Sequence, residues 1–323
     1  MIISASRRTD IPSFYSDWFV NRLNDGYVLV PHPRNLNQLS KISLKKEDVD
    51  CIVFWTKDAK PLFDKIEKLD GYKFYFQHTI TSYQKDLEPN MRRKSEILDT
   101  FVEMSKTLGN NRMVWRYDPI LLNDKYTEEY HYEYFEKFCA KLQGYTKKCI
   151  ISFLDLYGNV SENINGLGIY TPDKETRLRM ASRLSEIALK YDIQLESCSE
   201  EIDLTPYGVK KSSCIDKNLI EEVIGYELDV KKDSGQRENC GCVRSAEIGV
   251  YNTCIHGCKY CYATNFENVA MKNFKSHKKD SPLLFGELSG NENIVEQKVK
   301  RVKINNSFQQ LDLLDLMNND NKF

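Results

Sequence analysis

The 323 residues contain no run of about 18 or more apolar side chains, the length a membrane-spanning helix needs. Neither sign of charge is in excess, with 46 Lys+Arg against 47 Asp+Glu. No global field is therefore available to recruit nucleic acid or an anionic membrane surface. The stretch Met1-Ile2-Ile3-Ser4-Ala5-Ser6-Arg7-Arg8 lacks an apolar segment after its arginines, so neither a Sec nor a twin-arginine signal is expected. These absences imply a cytoplasmic protein. In a reducing compartment its ten cysteines imply ligands, catalytic thiols or core residues, and not disulfides. Basic runs at residues 277–279 and 298–303 read as solvated helix faces.

Short β-branched or aromatic runs alternate with amphipathic helical patterns, which is the signature of βα units around a parallel sheet. Strands are expected at residues 2–6, 27–30, 50–55, 73–80, 112–117, 149–154, 192–198 and 247–251. Between them run helical stripes. The first carries Phe14, Trp18, Phe19 and Leu23, with Asp10 as N-cap and Gly26 as stop; others carry Leu62, Ile66 and Leu69, or Ile97, Phe101, Met104 and Leu108. Further stripes carry Tyr130, Tyr134, Phe138 and Leu142, then Leu178, Ala181, Leu184 and Ile187, and residues 218–224 read as a helix inside an insertion. Eight strands separated by helices predict an α/β (β/α)8 TIM-like barrel, with an open doubly wound sheet as the alternative. Residues 1–200 hold the main βα units, 201–262 an insertion plus the last strand and a cysteine loop, and 263–323 a segment packing on the barrel. In that last segment Leu284, Phe285, Leu311, Leu313 and Leu314 are candidates to dock, and residues 318–322 are expected to fray.

In such a barrel the chemistry sits where strands end. The strand ends carry residues 6–10, 31–35, 55–58, 77–79, 116–119, 155–157 and 196–200, which include Lys57, His78, Arg116, Asp118, Asp155 and Glu196. Each alone reads as a cap or turn residue. Together they outline a polar mouth around the last strand.

Five cysteines fall within residues 240–262. Cys254, Cys258 and Cys261 are spaced C-x3-C-x2-C on a turn short enough for three thiolates to converge. Such a soft donor set selects zinc, cuprous copper or an iron–sulfur cluster. Structural zinc would need a fourth ligand, for which His256 or Cys242 is available; a four-iron cluster would leave one iron open to a ligand. Zinc motifs usually come as paired C-x2-C units, which this turn is not. Within a tight turn, His256 reads as a donor behind the ligands or a surface group. Outside it, Cys198, Cys214, Cys240 and Cys242 are enough for a second site, an auxiliary cluster or zinc, while buried unpaired cysteines are the alternative. Cys51, Cys139 and Cys149 fall in apolar patterns and read as core.

The segment Cys254-Ile255-His256-Gly257-Cys258-Lys259-Tyr260-Cys261-Tyr262-Ala263 resembles the cluster loop of the radical S-adenosylmethionine (SAM) superfamily, and its Tyr-Cys-Tyr-Ala ending resembles the branch containing spore photoproduct lyase. Ser-Arg-Arg-Thr-Asp-Ile-Pro near the start, with Gly-Gln-Arg, Cys-Gly-Cys and Tyr-Asn-Thr-Cys later, resembles the bacterial domain-of-unknown-function 1848 family over most of the chain. That family brings no assigned reaction. The superfamily resemblance implies a 4Fe-4S cluster on the three cysteines, with Tyr260 beside it, SAM on the open iron, and hydrogen abstraction from an unidentified small-molecule or peptide substrate. It also implies a reductase or flavodoxin-type electron donor. In the superfamily the cluster loop follows the first strand, whereas here it follows the last, the order that a circular permutation of a closed barrel produces. No Gly-Gly-Glu segment for the SAM amino group is present. The permutation puts residues 4–10 in its place: Ser6, Thr9 and Asp10 would take the ammonium or ribose, and Arg7 or Arg8 the carboxylate. The competing expectation is that Asp10 only caps the next helix and the arginines are solvated. Lys57, His78, Arg116, Asp118, Asp155 and Glu196 would face the substrate. A different class remains open, a non-catalytic protein whose cysteines hold structural zinc or a closed cluster beside a ligand-binding barrel. Nucleic-acid repair is suggested only by the lyase-like ending, and near-neutral charge speaks against it.

Overall fold

The computed structural model describes residues 1–298 apart from 34, 157, 238 and 239. Arg34, Tyr157, the basic run after Lys298, Leu311, Leu313, Leu314 and residues 318–322 lie outside the described residues. In chain order the strands are β1 (Ile2–Ala5), β2 (Tyr27–His32), β3 (Asn35–Ser43), β4 (Cys51–Thr56), β5 (Phe74–Thr79), β6 (Met113–Ile120), β7 (Lys148–Phe153), β8 (Gln194–Cys198), β9 (Lys210–Ser212), β10 (Ala246–Glu247) and β11 (Asn293–Glu296). The helices are α1 (Ile11–Phe14), α2 (Ser16–Asp25), α3 (Lys60–Phe63), α4 (Lys94–Leu108), α5 (Glu128–Leu142), α6 (Gly158–Asn163), α7 (Lys174–Lys190), α8 (Lys217–Ile224) and α9 (Glu267–Lys275).

Eight strands form one parallel sheet in the order β10-β1-β4-β5-β6-β7-β8-β9. From β1 to β9 the order advances without reversing, unlike a doubly wound sheet, whose order turns back at its switch point. No ladder joins β9 to β10 among the described residues. Both faces of the sheet are buried, which explains the nearly continuous apolar runs of its strands. Ile3, Ile52, Phe54, Phe76, Trp115, Ile151 and Leu195 pack under the helices, whereas Ile2, Cys51, Val53, Tyr75, Val114 and Ile150 form the other face, closed by Leu219, Ile220, Val223 and Ile224 of α8. On the helix side Phe54 stacks on Phe76 at 4.8 Å and Trp115 on Phe135 of α5 at 5.0 Å. Burying one such ring contributes about 1.5–3 kcal/mol, so the strand ends rest on a stiff support.

The helical stripes fall where their periodicity placed them, although the first is broken at Tyr15 into α1 and α2. Asp10 caps α1 through Ser13 N at 3.0 Å, Gly26 ends α2 with φ +76°, and α4, α5, α7 and α8 cover their expected stripes. The stripe of Leu62, Ile66 and Leu69 is split into α3 and a 3-10 turn over Ile66–Leu69.

Three strand expectations are corrected. Residues 27–30 do not join the main sheet; β2 pairs antiparallel with β3, and β11 adds to β3 in parallel. The eighth strand of the main sheet is instead the short β9, whose Lys-Lys-Ser sequence carries no β-branched or aromatic signal. The last strand covers only Ala246–Glu247, and the chain reaches the cysteine turn through irregular residues in place of a strand over 247–251. The reading of residues 277–279 as a solvated face also gives way at His277, which is half-buried, sets its Nδ1 2.7 Å from Leu284 O and packs on Tyr15. No helix among the described residues is long and apolar enough to cross a membrane.

Candidate functional site

The C-terminal ends of the sheet strands open into a cavity of about 440 Å³. Its lining includes residues 6–10 after β1, Lys57 after β4, Arg116 and Asp118 of β6, Asp155 after β7, and seven cysteines: Cys198, Cys214, Cys240, Cys242, Cys254, Cys258 and Cys261. The two groups of thiols singled out by sequence thus face one space.

The placement of residues 254–261 follows from the pairing of β10 with β1, Ile3 opposite Ala246 and Ser4 opposite Glu247. Glu247 Oε2 accepts from Ser4 Oγ at 2.8 Å and from Arg7 N at 3.0 Å, so the two strand exits share one carboxylate. Gly249 is needed by close approach: a Cβ there would lie 1.8 Å from Ser6 Oγ and 2.5 Å from Ser6 Cβ. Asp10 then fastens the turn itself. One of its oxygens caps α1, while the other accepts from Lys57 N at 2.7 Å and faces His256 Nε2 at 2.8 Å. These hydrogen bonds hold the Asp10 carboxylate below its ordinary range although burial opposes them. From the opposite side the loop after β5 clamps the turn, through Asn90 Nδ2 to Ile255 O at 2.9 Å and Lys259 N to Leu87 O at 3.0 Å. Gly257, at φ +72°, lies against Pro89 and Asn90 of that loop.

Glu88, in the same loop, carries no signal in the sequence as a site residue. It is 1% exposed and receives Lys57 Nζ at 2.7 Å, Thr81 Oγ1 at 2.6 Å, Lys94 and the hydroxyl of Tyr260. Burial raises its carboxyl, but the two ammonium groups outweigh burial and hold it well below the usual range. Burial pushes the Cys258 thiol up to about 12, with Lys57 acting in the opposite direction. Burial likewise raises Cys254, next to Asp10 and the other two thiols.

The second group is in closer contact. Cys198 ends β8, Cys214 follows β9, and Cys240 and Cys242 precede β10. Cys198 Sγ lies 2.8 Å from Cys214 Sγ, and Cys240 and Cys242 line the same cavity and pack in the same buried cluster. Interaction among the four thiols pulls Cys214 and Cys240 below the ordinary thiol range and raises Cys198 and Cys242. Arg116 Nη1 donates to Cys214 Sγ at 3.3 Å, and Ile215 N to Cys242 Sγ at 3.3 Å. Among the described residues no group of three or more His, Cys, Asp or Glu side chains is placed so that it could hold a metal ion. In the second group Cys198 and Cys214, at 2.8 Å, are closer than the spacing of about 3.8 Å that four sulfurs keep around an ion at about 2.3 Å.

The family profile described as domain of unknown function (DUF1848) matches residues 2–263, from β1 through the cysteine turn. The chain belongs to that family. No curated protein and no solved structure matches it. The DUF1848 span therefore contains every residue singled out above.

Of the expected substrate-facing residues, Lys57, Arg116, Asp118 and Asp155 line the cavity, whereas His78 and Glu196 do not. Period-two alternation explains His78: Tyr75 and Gln77 point inward to Cys214 O, so His78 turns to the helix side, fully buried against Phe101. Glu196 shares the face of Cys198 but lies one pleat away from the mouth, bound to Ser212 at 2.6 Å and Lys148 at 3.2 Å. Ser6, Arg7, Arg8, Thr9, Asp10 and Tyr260 all line the cavity. Arg7 faces Glu247 and Asp233, and Arg8 lies over the Tyr251 ring, so neither is simply solvated. Thr9 Oγ1 is buried and has no partner among the described residues.

Proposed function

We propose that this DUF1848 chain is a radical SAM enzyme with a circularly permuted, TIM-like barrel, in which Cys254, Cys258 and Cys261 hold a four-iron cluster at the mouth of the cavity. The observation that carries this reading is the juxtaposition of the C-x3-C-x2-C turn with the exit of β1, through β10–β1 pairing and the Asp10–His256 contact. The residues present fit the group: three thiols are a donor set for iron, and the buried Thr9 hydroxyl, without a partner among the described residues, lines the same cavity. When bound, such a cluster would chelate SAM at its open iron and supply the electron that cleaves the sulfonium, giving a 5′-deoxyadenosyl radical. A reductase or flavodoxin-type protein would deliver that electron.

The chain's own residues then have distinct roles. Asp10 is a positioning residue, because its oxygens already serve α1, Lys57 N and His256. Thr9 and Arg7 are left to meet the polar groups of SAM. Glu88 fixes Lys57, Lys94 and Tyr260 behind the turn, which places two cations near the thiolates. Arg116, Asp118 and Asp155 would orient a polar small-molecule or peptide substrate in the remaining space, while the buried sheet excludes water below it.

The test is anaerobic reconstitution of the full chain with iron and sulfide, then incubation with dithionite and SAM. Release of 5′-deoxyadenosine above that of Cys258→Ala is expected; equal yields from the two proteins would overturn the proposal.

A further inference from the structure

Four cysteines outside the cluster turn converge from distant parts of the chain, and this convergence needs a reason of its own. Cys198, Cys214, Cys240 and Cys242 come from the end of β8, the residues after β9 and the approach to β10. A redox pair needs two thiols. Here four line one cavity and pack in one buried cluster, with Cys198 and Cys214 in contact, and four is the number a tetrahedral ion requires.

The surroundings are those of thiolates. Arg116 Nη1 and the Ile215 amide each donate to a sulfur at 3.3 Å, and Arg116, buried and also paired with Asp118, adds a cation beside the sulfurs. Arg7 stands on the cavity side of the same thiols. Gly241, between Cys240 and Cys242, packs against Ser213, where a Cβ would meet the movable Ser213 hydroxyl at 2.3 Å. Because Cys198 and Cys214 are only 2.8 Å apart, the group suits a single ion; a four-iron cube would hold its cysteine sulfurs farther apart. A spread of about one ångström on the tightest edge, from 2.8 Å to about 3.8 Å, opens the tetrahedron.

We infer that Cys198, Cys214, Cys240 and Cys242 bind one zinc-class divalent ion with a closed, four-thiolate shell, distinct from the cluster turn. The ion's place in the fold explains its use, since it pins the segment between β9 and β10, the two ends of the main sheet, which no ladder joins among the described residues. Asp233 N to Cys242 O at 2.9 Å and Val243 N to Ile215 O at 3.1 Å are among the few backbone bonds that otherwise hold that seam.

The test uses the full chain carrying Cys254→Ala, Cys258→Ala and Cys261→Ala, so that its outcome is independent of the cluster turn. This protein, purified aerobically from zinc-supplemented medium, is expected to hold about one zinc per chain. Releasing the ion with a thiol-modifying mercurial should consume four thiols per zinc, and cobalt substitution should give an intense thiolate-to-cobalt charge-transfer band. Cys214→Ser with Cys242→Ser in the same background should lose the metal at least tenfold. If that variant fails to fold, the thiol count and the cobalt band on the folded parent still decide the matter. Absence of stoichiometric metal with a mapped Cys198–Cys214 disulfide would overturn the inference in favour of a redox pair. Several irons with matching sulfide would overturn it in favour of a second cluster.

Discussion

Two sets of thiols line one cavity, and the protein holds them in opposite ways. The set at residues 254–261 comes from a single turn, fixed by backbone and side-chain bonds from the exits of β1 and β5. The set at Cys198, Cys214, Cys240 and Cys242 is gathered from three separate stretches, with Cys198 against Cys214. A turn braced from outside keeps its thiols in place while leaving one side free for a ligand. A set assembled from far-apart segments owes its order to whatever sits at its centre. On our reading the first is built to stay open and the second to close.

The largest expected effect separates the two outright. Cys258→Ala should lower SAM cleavage to background, a loss of at least about 100-fold, while zinc at the four-cysteine group stays unchanged in the same preparation. Next comes the bracing of the turn. Glu88→Gln leaves Lys57 and Lys94 facing a neutral group in a buried position and should cost about 3–5 kcal/mol in chemical denaturation. Zinc content should be unaffected, and a fall in zinc equal to the fall in iron would mean that the two sets are one unit.

Acid provides a comparison that involves neither set. His131 is fully buried, between Tyr117 Oη and Leu121 O, and burial pushes it down to about 4. The unfolded chain takes up this proton near pH 6.5 and the native state only near 4, so stability is full above about 6.5 and declines as pH falls towards 4. The loss should reach about 3 kcal/mol and persist unchanged in Cys258→Ala. The smallest effects test the two glycines. Gly249→Ala places its Cβ on both Oγ and Cβ of buried Ser6, so the backbone must move, at about 1–3 kcal/mol. Gly241→Ala meets only the Ser213 hydroxyl closely, with Ser213 Cβ at 3.6 Å, and a rotation of that side chain should hold the cost to about 1 kcal/mol or less. Thermal or urea denaturation of the pair gives the ranking directly.

Most helices and the parallel sheet were legible because their apolar residues repeat at 3.6 or 2 over long stretches. The exchange of strands was not. Residues 27–30 carry the same β-branched signal as the sheet strands, and nothing local says that they pair with residues 35–43 instead. β9 has three polar residues and exists because β8 offers it an edge. In the site, the cysteine turn and its place beside residues 6–10 could be read from spacing and strand count. Glu88 could not, since its role comes from four donors contributed by residues 57, 81, 94 and 260. His78 was misplaced because a strand end names residues without saying which face each one takes. Asp10 joined two expectations kept apart in the sequence: it caps the helix with one oxygen and anchors the cysteine turn with the other.

The pairing of β1 with β10 also fixes an order of events during synthesis. Ser4 and Glu247 are 243 residues apart, so the first strand to leave the ribosome has one of its two neighbours among the last parts of the sheet to appear. At a typical elongation rate of about 5–20 residues per second, the β1 edge waits for tens of seconds as an unpaired strand. Such an edge invites association with other chains, and β4, which pairs with the opposite side of β1, does not cover it. The cysteine turn is therefore completed only when nearly the whole family domain has been made.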